Sequence, residues 1–357
     1  MTAMPTGIPE RPEDRVLLVG GAGFVGSVLA RRLLDSGRGV TVLDALVYGD
    51  EGIRDLYRHP AFEVIRADLR DTGLISEACH RAGAVVHLGG LVGDPACALD
   101  EELTLEINLT ATRTIAEAAR EAGVHRFVFA SSCAVYGASD DLLDERSPTD
   151  PVSIYARTKI DSEAALRSLA ADGLCPVILR FATFYGLSPR PRFDLALNLL
   201  AAKAFAEGEI TIFGGDQWRP FVHVEDGASA IIAALDAPDD VVRGAIFNVG
   251  SDEQNHTFRH IVEMIRQHVP GVRVHFEPGA DREANYRVSF GKVRERLAFR
   301  ATRTVDLGIA EIGAALRTGR IHDYSEVKYS NHKSLTQGQA HLLLTSDAAA
   351  TPSVHGA

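Results

Sequence analysis

Tyr155 and Lys159 are the residues whose types and spacing most directly indicate chemistry. They lie four positions apart in a stretch whose pattern predicts a helix over 154–169, so both side chains are expected on one helical face. A nearby ammonium stabilises a phenolate and lowers the pKa of the tyrosine, which can then take or give a proton near neutral pH. Short motifs of this kind also arise by chance, and an exposed tyrosine–lysine pair is the alternative interpretation.

Ser132 supports the chemical interpretation. It follows a predicted strand over 126–130, and its hydroxyl can polarise the substrate oxygen on which the tyrosine acts. A serine, a tyrosine and a lysine in this arrangement suit hydride transfer between an alcohol carbon and a nicotinamide cofactor. Such chemistry requires a dinucleotide site elsewhere in the chain.

Residues 15–44 predict that site. An apolar strand is followed by a glycine-rich turn with Gly20, Gly23 and Gly26, an amphipathic helix, and a second apolar strand that ends in Asp44. Glycines let a pyrophosphate approach the backbone, and the start of the helix stabilises its negative charge. A carboxylate at Asp44 can bind the adenosine ribose hydroxyls and would repel a 2′-phosphate, which favours NAD over NADP.

The following segments also alternate between predicted strands and helices, which indicates an α/β fold with a doubly wound parallel sheet of the Rossmann type. Ligands of such sheets bind beyond the carboxyl ends of the strands. We predict an NAD-binding domain over 13–180, with 222–250 returning to the same sheet. A smaller, discontinuous C-terminal substrate-binding domain is predicted over 181–325. Residues 1–12 and 331–357 are predicted to be flexible.

Composition restricts the partners. The net charge is −11 without a basic run, which argues against nucleic acid, and no apolar stretch is long enough to cross a membrane. The four cysteines have neither metal-ligand nor disulfide-framework spacing, and the N-terminus lacks a signal peptide, so a cytoplasmic setting is expected. His87 and His223 have no partners at ligand spacing, and no metal site is predicted.

Several motifs together resemble the extended short-chain dehydrogenase/reductases, and among them the NAD-dependent nucleotide-sugar epimerase/dehydratase family. The motifs are GGAGFVG, Asp44, Asp68-Leu69, HLGG, Asn108, SSCAVYG, YARTK and RPFVHVED, spread over about residues 15–320. The resemblance implies a tightly held NAD, a nucleoside diphosphate sugar as substrate, and transient oxidation of a sugar carbon, usually C4. It also implies a homodimer that pairs through the predicted helices over 103–122 and 154–169.

The resemblance assigns roles to residues at matching motif positions. Ser132, Tyr155 and Lys159 become the catalytic residues. The implied cofactor contacts are Gly20, Gly23, Phe24, Val25, Gly26, Asp44, Asp68, Leu69, Leu88, Gly89, Gly90, Asn108, Tyr155 and Lys159. The implied substrate contacts are Thr183, where relatives often carry asparagine, and the arginines Arg219, Arg282 and Arg287. A solvated surface charge is the alternative for any one of these arginines.

Cys133 and Ala134 stand where sugar dehydratases and related decarboxylases carry acidic residues. Without that pair, the simplest reaction left is oxidation followed by re-reduction, which predicts an epimerase. A dehydratase, a 4-ketoreductase and, less favoured, a non-catalytic NAD-binding sensor remain as alternatives. Cys133 is a candidate base for deprotonating C3 or C5 of a keto sugar, and a small buried apolar side chain is its alternative role.

Overall fold

Strands and helices alternate through most of the chain. The computed structural model describes residues 14–279 and 285–337. The strands are β1 (Arg15–Val19), β2 (Gly39–Asp44), β3 (Phe62–Arg66), β4 (Ala84–His87), β5 (Arg126–Ser132), β6 (Leu142–Leu143), β7 (Cys175–Phe181), β8 (Thr183–Tyr185), β9 (Glu209–Phe213), β10 (Trp218–His223), β11 (Ala245–Val249), β12 (Asn255–Thr257), β13 (Arg273–Glu277) and β14 (Arg287–Val288). The α-helices are α1 (Gly26–Asp35), α2 (Thr72–His80), α3 (Asp94–Cys97), α4 (Glu101–Leu105), α5 (Ala111–Glu121), α6 (Ile154–Ser168), α7 (Ala196–Glu207), α8 (Val224–Asp236), α9 (Asp239–Val242), α10 (Phe258–His268), α11 (Gly291–Leu297), α12 (Val305–Arg317) and α13 (Asn331–Gln337).

Seven strands form one parallel sheet in the order β11-β7-β5-β4-β1-β2-β3. Its strands are apolar because helices cover both faces, and every residue of β7 is buried. The doubly wound parallel sheet predicted from the sequence is therefore confirmed. Of the segment 222–250, β11 joins the edge of this sheet, whereas the residues up to His223 belong to β10, which pairs with β8 and β12 in a separate small sheet.

Two apolar clusters pack on the opposite faces of the large sheet. Leu33 of α1 and Ile231 of α8 belong to the first, and Ile115 of α5 and Leu166 of α6 belong to the second. A third cluster lies in the C-terminal part of the chain and includes Phe221 of β10. The large sheet therefore has a buried layer on each side, and only its strand ends are available to form a cleft.

The helix α13 corrects a prediction. Residues 331–357 were expected to be flexible, yet residues 331–337 are helical, and Leu335 is buried in the cluster that contains Leu166. The backbone N–H of Asn331 donates to Asp194 Oδ2 at 2.8 Å. Apolar burial and this hydrogen bond hold the segment in place. The polar composition of the segment predicts neither contact. Residues 1–12 and 338–357 lie outside the described residues.

Two further observations concern residues 14–279 and 285–337. No helix in these ranges is long and apolar enough to span a bilayer. Within the same ranges, no group of three or more histidine, cysteine or acidic side chains is arranged to hold a metal ion. The four cysteines are all buried and unpaired with one another.

Candidate active site

A cleft of about 420 Å³ lies beyond the carboxyl ends of the central strands. Residues at the ends of β2 and β5 or just beyond the ends of β1 and β4 line it, among them Gly20, Asp44, Gly89 and Ser132. The sheet brings these residues together because parallel strands present their carboxyl ends at one edge.

The glycine-rich turn forms one wall of the cleft. Gly20 has a φ of 79°, and a Cβ added there would lie 2.5 Å from the backbone nitrogen of Gly89, so only glycine fits. The following helix, α1, has no side-chain cap and no acidic residue in its first turn. Its start is therefore open to an anion. All the predicted pyrophosphate contacts line the cleft, namely Gly20, Gly23, Phe24, Val25 and Gly26.

Asp44 lines the cleft at the end of β2 and also fixes the neighbouring loops. Its Oδ2 accepts from the Ala22 N–H at 3.0 Å, and its Oδ1 accepts from the Leu46 N–H at 2.8 Å. Burial raises the pKa of Asp44, and these two amide donors oppose the rise. One carboxylate thus joins the glycine-rich turn to the loop after β2.

The remaining predicted cofactor residues beyond β3 and β4 also line the cleft. They are Asp68, Leu69, Leu88, Gly89 and Gly90. Burial alone would raise the pKa of Asp68, but Arg70 outweighs it with hydrogen bonds of 2.8 and 2.9 Å and lowers that pKa. A glycine-rich turn, an open helix start and two strand-end carboxylates together match the chemistry of a dinucleotide with its pyrophosphate and ribose hydroxyls.

Ser132, Tyr155 and Lys159 meet at the other end of the cleft, and all three line it. Ser132 ends β5, and its Oγ accepts from the Ala134 N–H at 3.1 Å. Lys159 Nζ donates to the carbonyl of Ala130 at 2.8 Å and lies 5.7 Å from the centre of the Tyr155 ring. The helical spacing predicted from the sequence therefore places the phenol and the ammonium on one face of α6, opposite the end of β5.

Contrary to the prediction from the sequence, the pKa of Tyr155 is not lowered. Burial raises the pKa of Tyr155, opposed by a hydrogen bond with Ser132, so the predicted lowering by Lys159 does not prevail. Burial also lowers the pKa of Lys159, to about 8. At neutral pH the phenol therefore keeps its proton while the lysine remains mostly charged. Phenolate formation needs further positive charge in the cleft.

A buried ion pair holds α6 against the sheet. Glu163 Oε2 accepts from Arg180 Nη2 of β7 at 2.7 Å, and Ser131 Oγ of β5 donates to Glu163 Oε1 at 2.5 Å. The two charged side chains are only 4% and 5% exposed. Burial alone would lower the pKa of Arg180, but Glu163 outweighs it and raises that pKa. Since Glu163 lies one turn beyond Lys159, the pair also fixes the helix face that carries Tyr155 and Lys159.

The prediction that Cys133 acts as a base is wrong. Its side chain is fully buried in the core, does not line the cleft, and donates through Sγ to the carbonyl of Arg180 at 3.2 Å. Burial raises the pKa of the thiol far above its usual range. Ala134, one residue later, lines the cleft instead. The alternative role of Cys133, a small buried side chain, matches this position.

Asn108 is a second correction, because it does not line the cleft. Both ends of its side chain bind the backbone of Leu91, at 2.8 and 2.9 Å. A Cβ on Gly90 would lie 2.7 Å from its Oδ1. It lies in a π-helical turn, Glu106–Thr110, which interrupts the predicted helix between α4 and α5. Asn108 therefore positions the loop after β4.

The predicted substrate residues separate into three groups. Thr183 lines the cleft. Arg219 and Arg287 do not; the Arg219 guanidinium lies 5.4 Å from the ring centre of Tyr286, and Arg287 lies 5.4 Å from that of Trp218 and donates to the carbonyl of Asp140. Arg282 is outside the described residues. Arg219 thus lies against Tyr286, which itself lines the cleft.

Many cleft-lining residues were not assigned to the site from the sequence, among them the polar or charged residues Tyr48, Asp94, Arg190, Arg192, Tyr286 and Asn331. The sequence marks only Arg190 and Arg192 among them, through the clustered arginines of the segment SPRPR at 188–192. The others come from loops and from the C-terminal segment, where no periodic pattern indicates a direction for the side chain.

Comparisons with known proteins agree with this geometry. The model of the NAD dependent epimerase/dehydratase family matches residues 16–250. A UDP-glucose 4-epimerase of Corynebacterium glutamicum is 31% identical over 272 residues, which are 71% of this chain and 80% of that protein.

Two solved structures are also similar. MoeE5 in complex with UDP-glucuronic acid and NAD has a TM-score of 0.74 and 30% identity, over 85% of this chain and 99% of that one. The UDP-glucose 4-epimerase of Thermus thermophilus in complex with NAD has a TM-score of 0.74 and 28% identity, with the same coverage.

The ion pair beneath α6 leads to a stability prediction. Glu163→Gln leaves the Arg180 charge buried without its partner, so the free energy of unfolding should fall by about 3 kcal/mol. Asp236→Asn, which breaks the exposed pair with Arg38, is the control and should cost less than about 1 kcal/mol. Urea unfolding at neutral pH measures both losses. Equal losses for the two variants would contradict the larger contribution to the free energy of unfolding that we predict for the buried pair.

Proposed function

The chain belongs to the NAD-dependent epimerase/dehydratase family, and from this we propose that it is an NAD-dependent epimerase of a nucleoside diphosphate sugar that acts through a transient keto sugar. The observation that carries the proposal is one cleft with Ser132, Tyr155 and Lys159 at one end and a dinucleotide-binding turn at the other. The intact trio disfavours the alternative of a non-catalytic sensor, which needs no such acid/base group.

NAD is the cofactor of this family, and the residues that would hold it are on two sides of the cleft. Gly20, Gly23 and the start of α1 face the pyrophosphate position, and Asp44 lies where adenosine ribose binds in this fold. When bound, NAD takes a hydride from the sugar carbon and returns it, and its oxidised ring adds positive charge to the cleft.

Tyr155 and Ser132 act on the sugar hydroxyl. In the oxidative half, the phenolate of Tyr155 takes the hydroxyl proton while Ser132 Oγ holds the oxygen in place. In the reductive half, the phenol returns the proton to the keto oxygen. Lys159 stabilises the phenolate electrostatically, and its own hydrogen bond to Ala130 fixes the ammonium close to the Tyr155 ring.

The surroundings of Ser132 favour epimerisation over loss of water. Elimination needs an acid and a base beside the keto sugar, and the two positions after Ser132 provide neither, because Cys133 is turned into the core and Ala134 presents a methyl group. Inversion at C4 is therefore our preferred reaction. A dehydratase or 4-ketoreductase is the second candidate, since the same family contains dehydratases.

Asp94 is the carboxylate that matters for the second candidate. It lines the cleft, its Oδ1 accepts from Ser153 Oγ at 2.7 Å, and its charge raises the pKa of Tyr155. The other acidic residues among the described cleft-lining positions, Asp44 and Asp68, follow β2 and β3 at the adenosine end. If a C3 or C5 proton is removed during the reaction, Asp94 is the base we propose in place of Cys133.

The substrate class rests on the cleft and on the relatives. The two similar epimerases are named for UDP-glucose, and MoeE5 binds UDP-glucuronic acid. We propose that Thr183 contacts the sugar and that Arg219, which lies against the Tyr286 ring, binds the diphosphate, since a guanidinium suits phosphate oxygens. Arg287 and Arg282 remain proposals for a second diphosphate contact.

The location in the cell is a proposal of the same kind. Four buried thiols with no disulfide between them accord with a reducing compartment, and we propose the cytoplasm.

A homodimer is proposed through α4, α5 and α6. Leu105 of α4, Leu99 just before it and Val152 just before α6 expose apolar side chains at this surface. Light scattering at micromolar concentration should give the dimer mass for the wild type and a monomer for Leu105→Glu. Leu142→Glu, at an exposed leucine elsewhere, is the control and should remain dimeric. A monomeric wild type would refute the proposal.

The reaction outcome is predicted from the missing acid/base pair. With a panel of UDP-, GDP-, dTDP- and CDP-sugars, one substrate should give a product of equal mass with no net change in NAD. In deuterium oxide, inversion at C4 leaves every carbon-bound hydrogen unlabelled, and product NMR measures this. Deuterium at C3 or C5 that disappears in Asp94→Asn would instead identify the deprotonation route. A product lighter by one water would replace the epimerase with a dehydratase.

The roles assigned to Tyr155 and Cys133 predict opposite results for variants of these two residues. Tyr155→Phe should lower turnover about 100-fold or more, because the phenol transfers the proton, while NAD binding is retained. Cys133→Ala should keep turnover close to that of the wild type, because its thiol does not reach the cleft. Steady-state kinetics and NAD titration of both variants measure these effects. A wild-type rate in Tyr155→Phe would refute the assignment.

A further inference from the structure

Arg190 is a buried cation with unused hydrogen-bond donors in the wall of the cleft. The residue is 4% exposed, and its Nε and Nη2 find no partner among the described residues. Burial lowers its pKa to about 10, so the guanidinium is charged at neutral pH. A buried charge without a partner is strongly unfavourable. The site is therefore suited to bind an anion that pairs with this charge.

The acidic residues near Arg190 are already occupied. Asp44 accepts from two backbone amides, those of Ala22 and Leu46. Asp194 accepts from Arg192 Nε at 2.9 Å and Nη2 at 3.0 Å, and also from the Asn331 N–H. Both carboxylates act on Arg190 through charge, and neither forms a hydrogen bond with its Nε or Nη2. Neither of these carboxylates therefore satisfies the two free donors of Arg190.

The position of Arg190 indicates which anion this is. A Cβ added to Gly52 would lie 2.8 Å from the Cβ of Arg190 and 3.1 Å from the carbonyl oxygen of Ala22, so Arg190 packs beside the glycine-rich turn. Its guanidinium lies 4.6 Å from the ring centre of Tyr48, which holds the planar group in place. The cation thus stands at the end of the cleft where the start of α1 also favours negative charge.

We propose that Arg190 binds the pyrophosphate of NAD together with the start of α1. The two free N–H groups form a fork that matches two phosphate oxygens, and the pyrophosphate supplies the negative charge that the site lacks. Two more unpaired polar atoms, Tyr48 Oη and Asn331 Oδ1, belong to residues lining the same cleft. The proposal rests on the cofactor of the proposed function and not on the reaction, so binding tests it separately from turnover.

Calorimetric titration of the full chain, freed of bound nucleotide, tests the assignment with three ligands. Arg190→Met should weaken NAD and ADP-ribose about 30-fold or more, because both carry the pyrophosphate and a charged hydrogen-bonding fork is lost. UDP, which represents the substrate diphosphate, should bind as to the wild type. Arg190→Lys should recover part of the loss, since it keeps the charge without the fork.

Thermal melting distinguishes ligand binding from a structural role. Nucleotide-free Arg190→Met should melt at or above the wild type, because an unpaired buried charge is removed, while the rise in Tm with added NAD becomes smaller. Arg126→Met is the matched control, since Arg126 is similarly buried but paired with Asp239. It should melt lower and bind NAD normally.

Two results would overturn the proposal. Unchanged NAD and ADP-ribose affinity in Arg190→Met would exclude a pyrophosphate contact, whether or not the variant melts lower. Weaker UDP binding with unchanged NAD binding would assign Arg190 to the substrate diphosphate. Neither result would refute the epimerase proposal, which depends on product analysis.

Discussion

The buried pair between Glu163 and Arg180 determines where α6, the helix that carries Tyr155 and Lys159, lies. Arg180 belongs to β7, and Ser131 of β5 binds the same carboxylate, so α6 is fixed to two neighbouring strands at their carboxyl ends. Tyr155, Lys159 and Glu163 are spaced by four residues and share one face of the helix. Because Glu163 is fixed, Tyr155 and Lys159 project towards Ser132 and the cleft.

The opposite end of the cleft is built from charged side chains around the glycine-rich turn. Asp44 holds this turn through the Ala22 amide, and Arg190 beside it has two N–H donors, Nε and Nη2, without a hydrogen-bond partner among the described residues. The two ends of the cleft therefore differ in environment. At the end with Tyr155 and Lys159, burial keeps the Tyr155 phenol protonated and lowers the pKa of Lys159, so both remain sensitive to any charge that enters the cleft.

Sequence predicted the parts of this protein that depend on contiguous residues. The strand–turn–helix unit and the Tyr155–Lys159 spacing are local patterns, and the structure reproduces both. The predicted role of Cys133 as a base was wrong because the chain leaves β5 at this point, and strand alternation no longer tells which side chain faces the cleft. The structure does not place Asn108 on the cleft, because the position of this residue depends on a loop backbone that no motif describes. Arg190 was missed because its neighbours, Tyr48 and Gly52, are distant in sequence.

The C-terminal segment also closes the cleft by contacts between distant parts of the chain. Phe193 N–H donates to the carbonyl of Tyr329 at 2.9 Å, and Asn331 reaches the cleft beside Asp194. Contacts of large sequence separation form late in folding, because closing the intervening loop costs entropy first. The ligand site is therefore complete only once the C-terminal segment has docked. Full dinucleotide affinity is then a property of the finished fold, and the bound cofactor selectively stabilises chains that have completed folding.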